Sequence, residues 1–179
     1  ASHDLQEPLR MVSSFLQLLE KRYSDRLDRE GKEFIGYAVD GANRMKTLIN
    51  DLLKYSRVGT RGKPFEPADL NNVIKNTLKY LAPAIDESNA RITFGNLPVI
   101  DADELQIAQV FQNLISNAIK FRSNKTPEIS IKAKEYKTHW KFTVKDNGIG
   151  IDEQFFERIF IIFQRLHSKD KYGGTGIGL

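Results

Sequence analysis

The sequence of 179 residues has no cysteine and no apolar stretch approaching the roughly 18 residues that a membrane-spanning helix needs. The lack of cysteine excludes disulfides and zinc-thiolate centres. The lack of a long apolar run predicts that no part of this stretch spans a membrane. The lack of cysteine suits a reducing compartment, and we expect a cytoplasmic protein, with the full-length protein either soluble or attached to a membrane through upstream segments.

A strong excess of charge of one sign is also missing. The 27 Lys and Arg residues nearly balance the 23 Asp and Glu residues, which leaves a net charge of +4. This charge favours a small anion such as a nucleotide, but it is too small and too dispersed to predict a nucleic-acid partner. Hydrophobic residues make up 40% of the chain, as in a globular protein with a core, and the length permits one large domain or two small ones.

Apolar residues recur every three or four positions in two stretches near the start of the chain. The pattern predicts helices over residues 1–23 and about 33–57, joined by the mixed-charge residues 24–31. The repeating positions are Leu5, Leu9, Val12, Leu16, Leu19 and Tyr23, then Phe34, Ala38, Gly41, Met45, Leu48, Leu52 and Tyr55, with Ile35, Ala42 and Ile49 widening the second face. A lone hairpin leaves half of this apolar surface exposed to solvent. Residues 1–58 are therefore predicted to pair with a second copy in a four-helix bundle. The alternative is that the hairpin packs on the second half of the same chain.

Glycine, proline and charge alternate over residues 59–67, which predicts a linker before a second domain at residues 68–179. In that domain we expect helices at 69–88, 103–121 and near 153–159, and strands at 91–94, 99–100, 128–133 and 140–145. Asp69 is expected to cap the first helix, and Asp101 or Asp103 the second. The fold class is therefore α+β: an antiparallel helical hairpin, a four-helix bundle as a dimer, followed by an α/β sandwich. Its sheet looks antiparallel, with helices on one face.

Two asparagines and a lysine share the polar side of the helix predicted at 103–121. Asn113 and Asn117 are four residues apart on one face, and Lys120 lies within a turn of both. Asparagine is a poor helix former, its amide oxygen can ligate Mg²⁺ and a lysine can neutralise phosphate. The alternative is that these residues form the solvent-facing side of a surface helix.

Two glycine-rich stretches complete the set of motifs. Asp146 ends a predicted strand and can accept a hydrogen bond from an exocyclic amine such as that of adenine, while Gly148 and Gly150 let the backbone approach a ring or a phosphate. Glycine also occupies every second position from 174 to 178, which exposes N–H groups suited to phosphate oxygens. The alternatives are an ordinary Asp-Asn-Gly turn and a flexible tail. The chain has no Gly-x-x-x-x-Gly-Lys-Ser/Thr motif and is therefore not a P-loop protein.

In order and spacing, these motifs resemble those of the sensor histidine kinases of two-component signalling, over the whole chain. Residues 2–8 resemble the phosphoacceptor box, 113–121 the asparagine box, 146–151 the first glycine box, 156–163 the phenylalanine box and 174–179 the second glycine box. Residues 2–9 are also similar to kinases with an upstream PAS or phytochrome-type sensor, which we expect to be absent from this chain.

The resemblance implies an ATP-dependent, autophosphorylating protein histidine kinase. His3 is then the nucleophile that attacks the γ-phosphate of ATP, and Asp4 orients the imidazole and accepts its proton. The phosphoryl group passes to an aspartate of a response-regulator receiver domain. The position four residues after the histidine holds Glu7, where the family often has threonine or asparagine, so phosphatase activity is not carried over.

The resemblance also implies a nucleotide site with ATP and Mg²⁺. Asn117 binds Mg²⁺ with support from Asn113, and Lys120 contacts phosphate. Asp146 accepts a hydrogen bond from the adenine amine. The other nucleotide-binding residues are Phe121, Gly148, Gly150, Ile151, Arg165, Gly174, Thr175, Gly176, Gly178 and Leu179. Residues 152–175 correspond to a lid over the nucleotide.

The family's catalytic domain usually continues beyond the position of Leu179, so we expect this one to be incomplete at its C terminus. Two rival hypotheses remain. An ATPase or serine kinase of the same nucleotide-binding superfamily leaves the heptad hairpin and the pair His3 and Asp4 unexplained. A non-catalytic dimeric phosphotransfer or scaffold module would carry a degenerate nucleotide domain.

Overall fold

The computed structural model describes residues 2–58, 64–162, 164 and 166, and in the first of these ranges the side chains from Gln6 to Leu53. The chain divides into two compact units, Ala1–Arg61 and Gly62–Leu179. In the described part of the chain, no helix combines the length and the apolarity that a transmembrane span requires.

The first unit is a hairpin of two helices, α1 (Ser2–Tyr23) and α2 (Arg29–Val58). At the closed end, the Tyr23 carbonyl accepts hydrogen bonds from the N–H groups of Arg26, at 2.8 Å, and Leu27, at 3.0 Å. At the open end, the side-chain amide of Gln6 donates to Oδ1 of Asn50. The helices are therefore antiparallel, and the predicted hairpin is confirmed.

Helix α2 begins at Arg29 rather than at the predicted Glu33. Asp28 caps it, because its carboxylate accepts the N–H of Gly31 at 2.7 Å. Arg29 and Glu33 form an ion pair across the first turn, with 3.4 Å between Nε and Oε1. The mixed charges that predicted a loop are thus the capping and pairing residues of the helix start.

Within the hairpin, α2 buries two of the residues predicted to widen its apolar face rather than the main heptad positions. Among the side chains of α2 that the structure describes, Ala42, 1% exposed, and Ile35, 9% exposed, are buried, whereas Phe34, Met45 and Leu52 are exposed. Helix α1 likewise leaves a row of large apolar side chains exposed, namely Met11, Val12, Phe15, Leu18, Leu19 and Tyr23. An open groove of about 490 Å³ lies along α1, lined by Pro8, Met11, Val12, Phe15, Leu16 and Leu19. The unit therefore presents an extensive apolar surface.

The second unit mixes helices and strands. Its helices are α3 (Leu70–Tyr80), α4 (Ala82–Ser88) and α5 (Glu104–Lys120), and short 3₁₀ helices lie at Glu153–Phe155 and Arg158–Phe160. Its strands are β1 (Glu66–Asp69), β2 (Arg91–Phe94), β3 (Val99–Ala102), β4 (Glu128–Glu135) and β5 (Trp140–Asp146). The α+β class predicted for this part of the chain is confirmed.

The strands form two sheets. β2, β4 and β5 make one sheet in that order, while β1 and β3 form an antiparallel pair. The prediction of an antiparallel sheet holds for β4 and β5 and is wrong for β2 and β4, which are parallel. The chain between β2 and β4 crosses over through α5, and such a crossover is what returns a strand in the parallel direction.

The first two residues of β1, Glu66 and Pro67, were predicted as part of the linker. Glu66 and Pro67 pair instead with Ala102 and Asp101 of β3. Proline is tolerated there because a two-stranded pair has free edges on which no N–H has to be donated.

The helix predicted at 69–88 is broken into α3 and α4 at Leu81. Pro83 lies in the first turn of α4, where its missing N–H costs little, whereas one long helix would have placed it in the interior. The predicted cap of α3 is confirmed, since Asp69 accepts the N–H of Asn71 at 2.9 Å. Of the two candidate caps for α5, Asp103 is the one that serves, accepting the N–H groups of Leu105 and Gln106 at 3.0 and 3.2 Å.

The core of the second unit lies between α3, α5 and one face of the larger sheet. Leu70 and Ile74 of α3, Ile115 of α5 and Ile129 and Ile131 of β4 are fully buried. Burying each such side chain stabilises the fold by roughly 1.5–3 kcal/mol. The core therefore holds α5 firmly against the sheet and determines what its C-terminal end meets.

Candidate functional site

The C-terminal half of α5 carries apolar and polar side chains on opposite sides. Ile115 and Ala118 are buried in the core. Asn113 and Asn117 are half-buried on one face, and so is Lys120. The helix thus holds three polar groups next to the core without burying them completely.

The two asparagines differ in their partners. Oδ1 of Asn113 accepts a 2.9 Å hydrogen bond from Nε2 of Gln109, one turn earlier. The side-chain amide of Asn117 makes no hydrogen bond to any residue that the structure describes. Asn117 is therefore the one whose amide oxygen is open to a ligand.

Helix α5 ends at Phe121, whose N–H donates to the Asn117 carbonyl at 2.8 Å. The ammonium nitrogen of Lys120 lies 4.5 Å from the centroid of the Phe121 ring, within the range of a cation–π contact. The helix end therefore positions a cation beside an aromatic ring.

The turn at residues 146–150, which we call the 146–150 turn, lies directly against this helix end. The N–H of Ile149 donates to the Phe121 carbonyl at 3.0 Å. Asp146 is exposed at the end of β5, and its Oδ1 accepts the N–H of Gly148 at 2.8 Å. The structure thus joins the asparagine-bearing helix and the first glycine-rich stretch, which the sequence places far apart.

The two glycines of this turn are required for different reasons. A β-carbon on Gly148 would lie 2.6 Å from the Phe121 carbonyl oxygen and 2.8 Å from Oδ1 of Asp146. Gly150 has open space around it, but its φ of +72° is in the left-handed region that favours glycine. Gly148 therefore permits close contact, and Gly150 permits the backbone conformation.

Asn147 is a site residue that the sequence reasoning did not single out. Its Nδ2 donates to the Thr126 carbonyl at 2.9 Å, and its Oδ1 accepts the N–H of Glu128 at 2.9 Å. Its own carbonyl accepts the Ser123 hydroxyl at 3.3 Å. An Asp-Asn-Gly sequence indicates a turn, but nothing in it points to partners some 20 residues earlier in the chain.

The chain after the turn stays at the surface. Ile151 is exposed, and Asp152 caps the first 3₁₀ helix by accepting the N–H of Gln154 at 3.1 Å. The Arg158 guanidinium lies 5.4 Å from the centroid of the Phe155 ring and donates through Nε to Gln164 at 3.0 Å. This is the described part of the predicted lid.

Several predicted residues fall outside the described part of the chain. His3 and Asp4 lie in the first turn of α1, where only the backbone is described. Outside the described residues altogether are Arg165, Gly174, Thr175, Gly176, Gly178 and Leu179. The other histidine described, His139, is exposed and stacks on Tyr136 at a centroid distance of 5.0 Å.

Two protein-family models match the chain. The His Kinase A (phospho-acceptor) domain matches residues 1–61. The Histidine kinase-, DNA gyrase B-, and HSP90-like ATPase family matches residues 102–179. The second match includes α5 and the 146–150 turn.

The chain is similar over its length to curated histidine kinases and phytochromes. It is 52% identical, over all of its residues, to the phytochrome-like protein Cph1 of Synechocystis and 51% identical to cyanobacterial phytochrome A of Nostoc. It is 31% identical over 99% of its residues to the sensor protein kinase WalK of Staphylococcus haemolyticus, of which it covers 30%. It covers 24% of Cph1 and 23% of phytochrome A, so it spans about a quarter of the length of these relatives.

Solved structures of histidine kinases have the same fold. Full-length ShkA in complex with AMPPNP is 25% identical with a TM-score of 0.67, over 99% of this chain and 37% of that one. ThkA in complex with the response regulator protein TrrA is 23% identical with a TM-score of 0.62, over 91% of this chain and 49% of that one, a likeness of fold alone. The chain therefore contains a phospho-acceptor domain and an ATPase-type domain, the two domain types of a sensor histidine kinase, and it is similar over its whole length to phytochrome-like proteins.

Proposed function

We propose that the protein is an ATP-dependent protein histidine kinase that phosphorylates His3 and passes the phosphoryl group to an aspartate of a response-regulator receiver domain. The observation that carries this proposal is the hydrogen bond from Ile149 to the Phe121 carbonyl. It joins the helix end that bears Asn117 and Lys120 to the turn that bears Asp146. The family matches support the same activity, and the AMPPNP bound to ShkA supports a nucleotide in the second unit.

ATP is the substrate that the second unit fits. One oxygen of the Asp146 carboxylate holds the Gly148 N–H, and the other is available to accept a proton of the adenine 6-amino group. The Lys120 ammonium supplies positive charge for the phosphates, and Gly148 allows the backbone to come close. Because ATP is the substrate, we place the reaction in the cytoplasm.

Mg²⁺ is the metal that the site fits. Among the described residues, no group of three or more acidic or histidine side chains is arranged to hold a metal ion. Mg²⁺ commonly takes one or two protein oxygens together with substrate phosphates, and the open amide of Asn117 provides such an oxygen, with Asn113 supporting it. Bound there, the ion would neutralise charge that develops on the phosphates during transfer.

The transfer itself requires a nucleophile and a proton acceptor. A nitrogen of the neutral His3 imidazole forms a bond to the γ-phosphorus as the bond to the oxygen bridging the β- and γ-phosphates breaks, and ADP leaves. In the proposed reaction, the role of Asp4 is to orient the imidazole and accept the proton of its other ring nitrogen. The phosphohistidine then gives its phosphoryl group to a carboxylate oxygen of the receiver aspartate, and a proton returns to the ring, which restores the neutral imidazole.

A homodimer is proposed for the first unit. The apolar residues exposed along α1 and α2, such as Val12, Phe15, Phe34 and Met45, would be covered by a second copy in a four-helix bundle. On this basis residues 1–58 are the dimerisation and phospho-acceptor hairpin, and residues 68–179 are the ATP-binding domain.

Labelled Mg-ATP tests the proposal. We expect a label that is labile in acid and stable in base, that is absent from His3→Ala and that moves to an added receiver domain. His139→Ala is the matched control and should keep the label. Acid-stable label would instead indicate a serine kinase, and bound nucleotide without any label would indicate a scaffold module.

A further inference from the structure

Asn147 uses both ends of its side-chain amide on main-chain groups of one loop. Nδ2 donates to the Thr126 carbonyl and Oδ1 accepts the Glu128 N–H, each at 2.9 Å. Both polar atoms of the side-chain amide are thus engaged by the same loop. A third contact, from the Ser123 hydroxyl to the Asn147 carbonyl at 3.3 Å, ties the same residue to the segment that follows α5.

The loop at residues 126–128, which Asn147 contacts, is itself held by the sheet. Pro127, between its two partners, is fully buried. The Pro127 carbonyl accepts the N–H of Arg91 at 2.8 Å, at the start of β2, and β4 begins at Glu128. Asn147 is therefore attached to the central strand of the sheet and not to a mobile surface segment.

The other side of Asn147 is the exposed part of the turn. Asp146 precedes it and accepts the Gly148 N–H, and Ile149 reaches the Phe121 carbonyl. The turn is thus attached through the main chain of Asp146, which pairs with Ile129 of β4, through the Asn147 side chain at the start of β4, and through Ile149 at the end of α5. The second lies next to Asp146 in the chain and limits where its carboxylate can be.

We propose that Asn147 is a positioning residue for the nucleotide site: its amide fixes the Asp146 carboxylate and the Gly148 N–H relative to the end of α5. This role rests on the proposed function, in which the Asp146 carboxylate accepts a hydrogen bond from the adenine amine. Without the amide, the turn keeps the Ile149 attachment, the pairing of Asp146 with Ile129 and the Ser123 contact, but loses the side-chain bonds that fix the chain immediately after Asp146, so nucleotide affinity falls while the fold remains.

Asn71 offers a matched control, because it makes the same kind of double contact elsewhere. Its Nδ2 donates to the Leu97 carbonyl at 2.7 Å and its Oδ1 accepts the Leu97 N–H at 3.1 Å. These bonds join α3 to the loop before β3, and none of the partners belongs to the 146–150 turn. Asn147→Ala therefore removes two such bonds at the site, and Asn71→Ala removes two away from it together with a 3.2 Å bond from Nδ2 of Asn71 to Oδ1 of Asp69.

The test measures amide hydrogen exchange and Mg-ATP affinity in both variants of the full chain. For Asn147→Ala we expect exchange at Gly148 and Ile149 to become about tenfold faster and the Kd for Mg-ATP to rise about tenfold, with KM rising more than kcat falls. For Asn71→Ala we expect a similar loss of thermal stability with exchange at these two amides and Kd unchanged. Ser123→Ala is a milder variant and should raise exchange at the same amides about twofold.

The proposal is overturned if Asn147→Ala leaves exchange at Gly148 and Ile149 unchanged, or if both alanine variants change Kd equally. Failure of the proposed function gives a different result. In that case the unmodified chain does not bind Mg-ATP, and the exchange measurements still decide whether Asn147 positions the turn. If Asn147→Ala does not fold, the same exchange comparison with Ser123→Ala decides the question.

Discussion

The carbonyl oxygen of Phe121 lies 2.6 Å from the position that a β-carbon on Gly148 would occupy. The same carbonyl accepts the N–H of Ile149 at 3.0 Å. The end of α5 and the 146–150 turn are therefore in direct main-chain contact, and there is no room for a side chain between them. This contact brings together the two motifs on which the proposed nucleotide site depends.

Gly148→Ala is expected to lower the free energy of unfolding by about 1–3 kcal/mol, because backbone must shift to admit the methyl group. It should also weaken nucleotide binding, since the shift separates the turn from α5. Denaturant unfolding and nucleotide titration check both effects. Gly95→Ala is the control, because a β-carbon there meets nothing within 4 Å, and its effect should be small. Equal losses in the two variants would contradict the close-contact explanation.

Asn117→Ala is expected to reduce Mg²⁺-dependent ATP binding far more than Asn113→Ala. The Asn117 amide makes no hydrogen bond to the described residues, whereas Oδ1 of Asn113 is already bonded to Gln109. Loss of a metal oxygen ligand should weaken binding at least about tenfold, and loss of a supporting contact only a few-fold. Titrations with and without Mg²⁺ measure the difference. Equal effects in both variants would show that Asn117 has no special role.

Asp103→Ala is expected to destabilise the second unit by about 1–2 kcal/mol, because Asp103 caps the central helix. It is 7% exposed and accepts the N–H groups of Leu105 and Gln106. Asp152→Ala removes the cap of a short exposed 3₁₀ helix, so a loss below about 0.5 kcal/mol is expected there. Urea unfolding followed by circular dichroism distinguishes the two. A larger loss in Asp152→Ala would be inconsistent with this ranking.

Phe15→Glu is expected to convert a dimer into a monomer. Phe15 is 59% exposed in the structure of one chain and lines the groove along α1, so in a four-helix bundle the carboxylate would be buried without a partner. Light scattering should give twice 20.5 kDa for the unmodified chain and 20.5 kDa for the variant. Lys46→Glu changes an exposed polar position and should leave the mass unchanged. A monomeric unmodified chain at high concentration would refute the dimer.

Features that depend on residues close in sequence were predictable from the sequence. The repeat of Leu9, Val12 and Leu16 predicted α1, because helix periodicity is a local property. Asp69 and Asp103 were recognisable as candidate caps, because a capping side chain bonds N–H groups two or three residues ahead. The same holds for the shared face of Asn113 and Asn117, which follows from their spacing.

Features that depend on distant partners were decided only by the tertiary structure. The parallel pairing of β2 with β4, the strand formed by Glu66 and Pro67, and the exposure of Phe34 each follow from which surfaces meet, and periodicity does not encode that. Asn147 is the clearest case at the site. Its hydrogen-bond partners, Thr126 and Glu128, lie at the start of the β4–β5 hairpin, whereas Asn147 follows its end. The sequence by itself determined which chemical groups the protein carries and on which local elements. Only the packing of α5 against the sheet decided that the Phe121 carbonyl and Gly148 would touch, because a contact between distant segments depends on the whole core between them.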